Sequence, residues 1–429
     1  NPGSFSASAP VFGSVRRADV VCVLVTFAAV PSFIMSIPSS SFAHRMGQMR
    51  PSTIREILKV TAQPDIISFA GGLPAPELFP VDEVRAAVDS ALVKHGREAM
   101  QYGPSEGLMP LREWIAAEMN QRQVATKPAD ILVTNGSQQV LDLIGKVFLN
   151  PGDVVLTENP TYLAAIQAFQ TFEVTFVPVP TDANGLIPSA LPELIAKHRP
   201  KFLYTIPNFQ NPTGTTLSRE RRQELAQIAA THGLPVVEDD PYGKLRYRGT
   251  DIPPIKHWDT DGWVIYASTF SKTIAPGFRL GWVVLPPSLF NKLLILKQAS
   301  DLHTSSFDQR VALSYLEAVD QNIHLNTIRR AYGERFDSMD AALRAEMPAG
   351  FSWTKPEGGM FLWVTGPEGL DGLALLQKAL QHRVAFVPGR DFFPMNSGGN
   401  YMRLNYSNSA PERIREGVRR LAELCRLSD

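Results

Sequence analysis

The sequence predicts an α/β protein in which helices cover both faces of a mostly parallel sheet, followed by a smaller α+β unit. Two observations carry this prediction. Short apolar segments alternate with helical patterns between about residues 131 and 285, which is typical of parallel strands joined by helical crossovers. The polar residues that could bind a ligand follow these apolar segments or begin the helices. Open α/β sheets bind ligands at those places.

Composition is that of an ordinary globular protein. The 429 residues allow two or more domains, and 44% are hydrophobic and 20% charged. Forty-two basic and forty-two acidic side chains cancel, so charge gives no support for a nucleic-acid partner. Cys22 and Cys425 cannot form a disulfide framework. The histidines lack metal-ligand spacing, so we predict no metal site; for His303 a structural role is favoured over a functional one.

The first forty-five residues read differently from the rest. They are rich in Ser, Ala and Pro, and the apolar run 20–30 follows Arg16 and Arg17. The run is shorter than the roughly 20 residues of a membrane span but has the length and flanks of a signal-peptide core. A targeting leader, an upstream extension and an added piece of fold all stay open, with the extension favoured. We expect a cytoplasmic protein without a membrane partner.

Three early segments precede the sheet. Residues 51–59 have proline and hydroxyls at the start of a short predicted helix. In residues 66–74 two glycines, including Gly72, allow the backbone to approach another group closely, although a plain turn is equally compatible. Residues 101–107, which contain Tyr102, form a turn-rich stretch before a predicted helix over 111–121.

Residues 131–148 read as a strand, a glycine turn and a helix. Because backbone N–H groups at a helix start bind anions, Ser137 and Gln138 are predicted to hold a phosphate, with a plain structural turn, common in α/β proteins, as the alternative. A strand over 154–157 precedes Tyr162, whose ring could stack on a ligand or pack in the core.

Two later strand ends carry polar clusters. The segment 202–214 ends in Asn-Pro-Thr-Gly, beginning at Asn211. These four residues could form only a turn, or the side-chain amide of Asn211 could donate to a ligand. After a helix over 218–232, a strand from 235 reaches three consecutive acids at 238–240. Alternation along a strand cannot choose among the three.

An apolar run over 263–266 predicts a buried strand, and Lys272 follows it on a loop. A partly desolvated lysine can form a Schiff base with an aldehyde cofactor. Thr269, Ser271 and Arg279 offer two hydroxyls and a guanidinium for a phosphate. A solvated surface lysine is the alternative.

The last third reads as long helices over about 307–347, then glycine-turn and strand segments. Residues 400–407 alternate like a strand and contain Arg403, either a carboxylate ligand or a surface side chain. The final helix, 411–427, is basic and amphipathic.

Together these motifs resemble the fold-type I pyridoxal-phosphate aminotransferases, and most closely their 2-aminoadipate and kynurenine aminotransferase branch. The resemblance rests on Thr-x-x-Lys with Arg279 seven residues on, on Asn-Pro-Thr-Gly and on Asp-x-x-Tyr in the right order, and it runs from about residue 50 to the C-terminus. It implies an aspartate aminotransferase-like fold with a seven-stranded-type sheet. The expected divisions are an extension over 1–45, a segment over 46–80 that packs with the small domain, a large cofactor-binding domain over 81–330 and a small domain over 331–429.

The resemblance also implies a role for each candidate residue. Lys272 would hold pyridoxal 5'-phosphate as an internal aldimine and later act as the base. The acid beside the pyridine nitrogen would be Asp239, with Asp240 the fallback. The remaining cofactor contacts would be Tyr162 on the ring, Asn211 and Tyr242 at the phenolic oxygen, and Ser137, Gln138, Thr269, Ser271, Arg279 and a second subunit's Tyr102 at the phosphate.

Substrate contacts follow from the same resemblance. Arg403 would grip the α-carboxylate, Gly72 and Asn211 would line the pocket, and Arg55 would meet a distal carboxylate. The implied activity is ping-pong transamination in a homodimer, with 2-aminoadipate or glutamate as donor, 2-oxoglutarate as acceptor and a role in lysine biosynthesis. A lyase or decarboxylase on the same fold and an aromatic or branched-chain aminotransferase stay open. A transcription factor would need a winged-helix domain ahead of the body, for which 45 residues are too few.

Overall fold

A computed structural model describes residues 37–47, 49, 57, 63, 65–395 and 397–426. The apolar run 20–30 and the predicted helix 51–59, apart from residue 57, lie outside these residues. The chain divides into two units, 1–43 and 44–429, and the described part of the first holds a 3-10 turn at Ser39–Ser41. No helix in the described ranges is long and apolar enough to cross a membrane.

A seven-stranded sheet forms the centre of the second unit. Its strand order is β2-β10-β9-β8-β7-β3-β4, and every pair is parallel except those made by β10, which runs antiparallel to both neighbours. The mostly parallel sheet predicted from the sequence is therefore confirmed. The strands, in chain order, are β1 Ile67–Ser68, β2 Ile131–Thr134, β3 Val154–Thr157, β4 Thr175–Pro178, β5 Thr181–Asp182, β6 Gly185–Leu186, β7 Phe202–Thr205, β8 Val236–Asp239, β9 Val264–Thr269 and β10 Gly281–Val284.

Helices cover both faces of this sheet, as alternation along a strand shows. In β2, Leu132 packs with Val140 and Ile144 on one side, whereas Ile131 and Val133 pack with Ile115 on the other. Such burial on both faces explains the nearly continuous apolar strands. The helices of this region are α1 Val81–Ala99, α2 Met109–Gln121, α3 Gly136–Phe148, α4 Leu163–Gln170, α5 Leu191–His198, α6 Arg219–His232 and α7 Pro287–Asp301.

Two long helices lead to a smaller antiparallel sheet of order β11-β12-β15-β14. The early strand β1 pairs in parallel with β13, joining Ile67 to Val384. This pairing joins residues 67 and 68 to the smaller unit, whereas the packing of residues 46–80 as a whole and the domain boundaries stay predictions. The elements are α8 Ser306–Ala318, α9 Gln321–Glu346, β11 Ser352–Trp353, β12 Phe361–Thr365, α10 Gly372–Gln381, β13 Val384–Ala385, β14 Val387–Pro388, β15 Tyr401–Asn405 and α11 Pro411–Arg426.

Candidate active site

The polar residues at the strand ends meet in a cleft of about 250 Å³. All the predicted site residues line it except two: Tyr102 lies elsewhere, and Arg55 lies outside the described residues. The predicted residues that line the cleft are Gly72, Ser137, Gln138, Tyr162, Asn211, Asp239, Tyr242, Thr269, Ser271, Lys272, Arg279 and Arg403.

Lys272 ends a 3-10 turn that follows β9 directly. Its Nζ donates to the carbonyl of Gly72 at 2.8 Å, so it points into the cleft rather than to solvent. Burial, then the charges of Arg403 and Arg279, lowers the pKa of Lys272 to about 8. A large share of this amine is therefore neutral, and so nucleophilic, in mildly alkaline solution.

Thr269 has a local structural role that the sequence did not reveal. Its hydroxyl donates to the carbonyl of Leu280 at 2.8 Å and accepts from the backbone N–H of Ser271 at 3.1 Å. The side chain thus caps the turn that carries Lys272. Its role as a donor to a phosphate stays a prediction.

Helix α3 starts at the edge of the cleft, immediately after β2. The N–H groups of its first turn, including those of Ser137 and Gln138, have no acceptor within the helix. A Cβ added to Gly136, whose φ is +70°, would lie 2.7 Å from Nη2 of Arg279. The guanidinium therefore packs against the start of the helix, and together they form a positive cradle suited to a phosphate.

Of the three consecutive acids, Asp239 lines the cleft. Its Oδ2 accepts from the hydroxyl of Tyr204 at 2.8 Å, while its buried Oδ1 has no hydrogen-bond partner among the described residues. Burial raises the pKa of Asp239 to about 7; Tyr204 opposes this increase and Asp240 adds to it. A buried unpaired oxygen is costly, and a protonated ring nitrogen in the cleft would give it a partner.

The other two acids face away and are satisfied elsewhere. Glu238 accepts from the backbone N–H groups of Ile255 at 2.7 Å and Lys256 at 2.9 Å. The buried carboxylate of Asp240 forms an ion pair with the partly exposed Arg122, with Nη2 and Oδ2 2.7 Å apart.

Arg403 forms the opposite wall of the cleft, and only 2% of it is exposed. Its Nη1 donates to Oδ1 of Asn211 at 2.9 Å, its Nη2 donates to the carbonyl of Ala70 at 2.7 Å, and its Nε has no partner among the described residues. Burial lowers the pKa of Arg403 to about 10, so it remains charged at neutral pH. The amide of Asn211 also donates to the hydroxyl of Tyr242 at 3.4 Å. The burial of Arg403 rules out the alternative that it is a surface side chain.

Tyr102 does not contact the cleft of its own chain. It is 78% exposed, and its ring meets that of His303 edge-on with centroids 5.7 Å apart. Nε2 of His303 lies 3.4 Å from the backbone nitrogen of Gly103, which donates to it, and Nδ1 lies 2.8 Å from the carbonyl oxygen of Thr304. These contacts match the structural role favoured for His303.

Sequence reasoning missed Tyr204, Ile206 and Phe361 as parts of the site. Ile206 and Phe361 line the cleft, and Tyr204 lies behind Asp239. A usable signal was present in β7, because Tyr204 and Ile206 are two residues apart at a strand end and therefore share one face.

A larger surface cavity of about 480 Å³ lies between α2, α9 and residues 243–254. Its principal charges are already paired: Lys244 lies 2.6 Å from Glu118, and Arg122 is bound to Asp240. The smaller cleft is where an amine, an anion cradle and an unpaired acid meet.

The fold and this cleft define an enzyme that binds pyridoxal phosphate. Residues 64–421 match the family described as aminotransferase class I and II. The chain is 47% identical over 388 residues to aromatic-amino-acid aminotransferase 1 of Thermococcus litoralis, covering 89% of this chain and 93% of the relative. It is 42% identical over 386 residues to 2-aminoadipate transaminase of Thermus thermophilus, covering 89% and 96%.

A solved structure gives the same result. Kynurenine aminotransferase of Pyrococcus horikoshii superposes with a TM-score of 0.87 at 44% identity, covering 91% of this chain and 98% of that one. The chain belongs to the class I and II aminotransferases, has the aspartate aminotransferase-like fold and uses pyridoxal 5'-phosphate. Of the activities that the sequence left open, this family supports an aminotransferase acting on amino and oxo acids.

Proposed function

We propose that this aminotransferase moves amino groups from 2-aminoadipate, glutamate and aromatic amino acids to 2-oxoglutarate. The observation that carries the proposal is the cleft itself, where the amine of Lys272 and the unpaired oxygen of Asp239 line the same space as the positive cradle at α3. When bound, the cofactor supplies an electron sink for the carbanion formed at the substrate α-carbon.

The residues of the chain divide the work around that sink. Lys272 would hold the cofactor through its amine, and the same amine, lining the cleft, would serve as the base that moves the substrate α-proton. Ser137, Gln138 and Arg279 hold the phosphate, with Thr269, Ser271 and the partner's Tyr102 proposed to complete its binding. Asp239 keeps the ring nitrogen protonated.

Tyr162 and Ile206, which both line the cleft, are proposed to pack on the cofactor ring. Asn211 and Tyr242 lie within hydrogen-bond distance of each other, and the pair is proposed to bind the phenolic oxygen. Burial raises the pKa of Tyr242 well above its usual value, so its hydroxyl keeps its proton.

Arg403 is proposed to bind the α-carboxylate. Its unpaired Nε and its bond to Asn211 leave a guanidinium edge that a carboxylate would satisfy. Phe361 and Phe392 flank it, with ring centroids 4.2 and 5.1 Å from the guanidinium carbon. Between these rings the guanidinium has little freedom to turn, which favours one orientation of the substrate.

The side-chain pocket supports two substrate classes. Among the described residues lining the cleft, the cations are Lys272, Arg279 and Arg403, and each already has another proposed role. A distal carboxylate therefore depends on Arg55, the residue given this role from the sequence. The aromatic walls at Tyr162, Tyr242 and Phe361, together with the names of the relatives, favour aromatic amino acids as a second class.

A homodimer with shared sites is part of the proposal. Exposed apolar side chains lie along α1, in the turn after it and at the start of α2, on either side of Tyr102 in the chain, and a second subunit is proposed to cover them. These side chains are Val81, Leu92, Val93, Met100 and Met109.

The test is a spectral titration of purified protein loaded with pyridoxal phosphate. Glutamate, 2-aminoadipate and phenylalanine, added separately, should each convert the long-wavelength absorption band, and 2-oxoglutarate should restore it. The rates rank the donors, with leucine added as an apolar comparison. Lys272→Ala should abolish multiple turnover. A band that no amino acid converts, or substantial turnover by Lys272→Ala, would refute the proposal.

The same titration tests Arg55. Arg55→Ala should raise the apparent KM for glutamate and 2-aminoadipate by roughly tenfold or more, the loss expected for one charge-assisted pair, and leave phenylalanine and leucine unchanged. Equal losses for acidic and apolar donors would show that Arg55 does not read the distal carboxylate.

A further inference from the structure

We propose that Tyr204 is a positioning residue that holds the Asp239 carboxylate ionised, with one oxygen left for the ring nitrogen of the cofactor. The inference rests on the proposed cofactor site and adds to it a residue to which no role has been given. It concerns how the acid is held, not whether the cofactor binds.

The sheet register places the two side chains together. Tyr204 on β7 pairs with Val237 on β8, and Asp239 lies two residues further along β8. Since side chains alternate between the faces of a strand, Val237 and Asp239 project to the same face, where the hydroxyl of Tyr204 lies 2.8 Å from Oδ2 of Asp239.

The hydrogen bond divides the carboxylate into two unlike oxygens. Oδ2 is occupied by Tyr204, while Oδ1, equally buried, has no partner among the described residues. Tyr204 is fully buried and its ring packs edge-on against Phe169 with centroids 5.8 Å apart. The hydroxyl is therefore held on Oδ2, which leaves Oδ1 as the oxygen that can bond to a ligand in the cleft.

The direction of the hydrogen bond determines its electrostatic effect. Burial, and then the charge of Asp239, raises the pKa of Tyr204 well above its usual value, so the phenol keeps its proton and donates. A donor stabilises the ionised acid. Burial of Asp239 and the neighbouring charge of Asp240 have the opposite effect, because both raise the pKa of Asp239.

Several other titratable groups lie around Tyr204 and Asp239. Glu158 and Tyr162 act on Tyr204, Tyr242 lies near Asp239, and Lys272 lines the same cleft. Among the described residues, the side-chain hydrogen bond that Asp239 receives comes from Tyr204. Removing it should therefore raise the pH needed to ionise the acid.

The test compares Tyr204→Phe with Tyr315→Phe. Tyr315 is also fully buried, but its hydroxyl has no hydrogen-bond partner in the described part of the chain, so it controls for removing a phenol from a core. Pyridoxal phosphate affinity and the rate of band conversion by a good amino donor are measured from pH 5.5 to 9.5 for both variants and the parent.

In Tyr204→Phe the acidic limb of both profiles should move up by about one to two pH units, the equivalent of one hydrogen bond to a charged group. Near the top of the pH range, affinity and rate should return toward the parent values. A purely structural role predicts a loss that is uniform in pH, and an unmoved acidic limb would overturn the proposal. Tyr315→Phe should leave the limb in place.

Two further measurements keep the outcome decisive. In an Asp239→Asn background, which has no carboxylate to ionise, Tyr204→Phe should cause no further shift of the limb in cofactor affinity, and a full additional shift would count against coupling of the two residues. If Tyr204→Phe does not fold, 3-fluorotyrosine at position 204, a stronger donor of the same shape, should move the limb to lower pH. Failure of the parent protein to bind pyridoxal phosphate would instead refute the cofactor site itself.

Discussion

Asp239 and Asp240 are adjacent in the chain, yet their surroundings give them opposite effects on folding. Burial raises the pKa of Asp239 to about 7, whereas for Asp240 the effect of burial is outweighed by Arg122 and Asn208, so its pKa is lowered. The first acid is held for ligand binding at a cost in stability, and the second is held by the fold.

We expect Asp239→Asn to stabilise the protein without cofactor by about 1 to 3 kcal/mol at pH 8, because a neutral amide replaces a carboxylate whose ionisation is costly in this buried position. Because the folded-state pKa is the raised one, the cost of ionising Asp239 is absent below about pH 4 and complete only above about pH 7. The gain in urea unfolding should accordingly shrink as the pH falls. The same variant should lose most of its transaminase activity.

Asp240→Asn provides the matched control. It removes the negative partner of Arg122, whose side chain is 19% exposed, so a loss of about 1 to 3 kcal/mol is expected, less than for a fully buried ion pair. Because the pKa of Asp240 is lowered in the folded state, the stabilisation it gives is present at neutral pH and lost as the pH falls into the acid range. Equal effects of the two substitutions would contradict this account.

At the level of elements, the connection between β9 and β10 is the decisive one. It spans residues 270–280 and carries both Lys272 and Arg279. A parallel pair needs a crossover of a dozen or more residues, usually helical, so a link this short leaves the antiparallel pairing that is observed. The strand β10 then brings Gly281 against the start of α3.

Gly281→Ala should weaken pyridoxal phosphate binding at least tenfold. The added Cβ would lie 2.7 Å from the backbone carbon of Gly136 and 2.8 Å from the nitrogen of Ser137, and backbone atoms cannot turn aside. The start of the helix must therefore shift away from Arg279 and spoil the anion cradle.

Gly277→Ala in the same connection is the control, since an added Cβ there meets nothing within 4 Å. Titration of each variant with pyridoxal phosphate, read by absorbance, makes the comparison. Unchanged affinity in Gly281→Ala would show that the cradle tolerates displacement.

The sequence was informative where a local pattern or the family resemblance specifies the residue. Ser218 caps α6 ahead of Arg219, as the predicted start of this helix implies. The apolar stripe of α3 predicted both the helix and the face that is buried. Lys272, Asn211 and Arg403 could be named from spacing and resemblance. The contact of Tyr204 with Asp239 could not, because it depends on the register of β7 against β8, which apolar runs do not specify. Nor could the antiparallel direction of β10 be read from its composition.

At the scale of the whole molecule, Tyr102 is the residue proposed to link the active site to assembly of a dimer. If it serves the site of a second subunit, Tyr102→Ala and Lys272→Ala should each be nearly inactive as pure dimers. In a heterodimer one site would hold an intact Lys272 and an intact Tyr102, and the other would hold neither.

Mixing the two variants under conditions that exchange subunits should therefore restore about one quarter of the parent activity, because half of the dimers are mixed and one of their two sites works. The measurement is turnover before and after exchange, with unmixed samples treated identically. If Tyr102 instead acts within its own chain, mixing restores nothing.

The wall that faces the substrate is assembled from two distant parts of the chain. Arg403 on β15 donates to the carbonyl of Ala70, and the backbone nitrogen of Asn405 donates to the carbonyl of Phe69 at 2.8 Å. The residues proposed to bind the cofactor, by contrast, lie on the seven-stranded sheet and its connections. Attempts to transplant substrate preference between aminotransferases of this kind should therefore carry residues 66–74 and β15 together as one cassette, since either graft alone would face a mismatched neighbour.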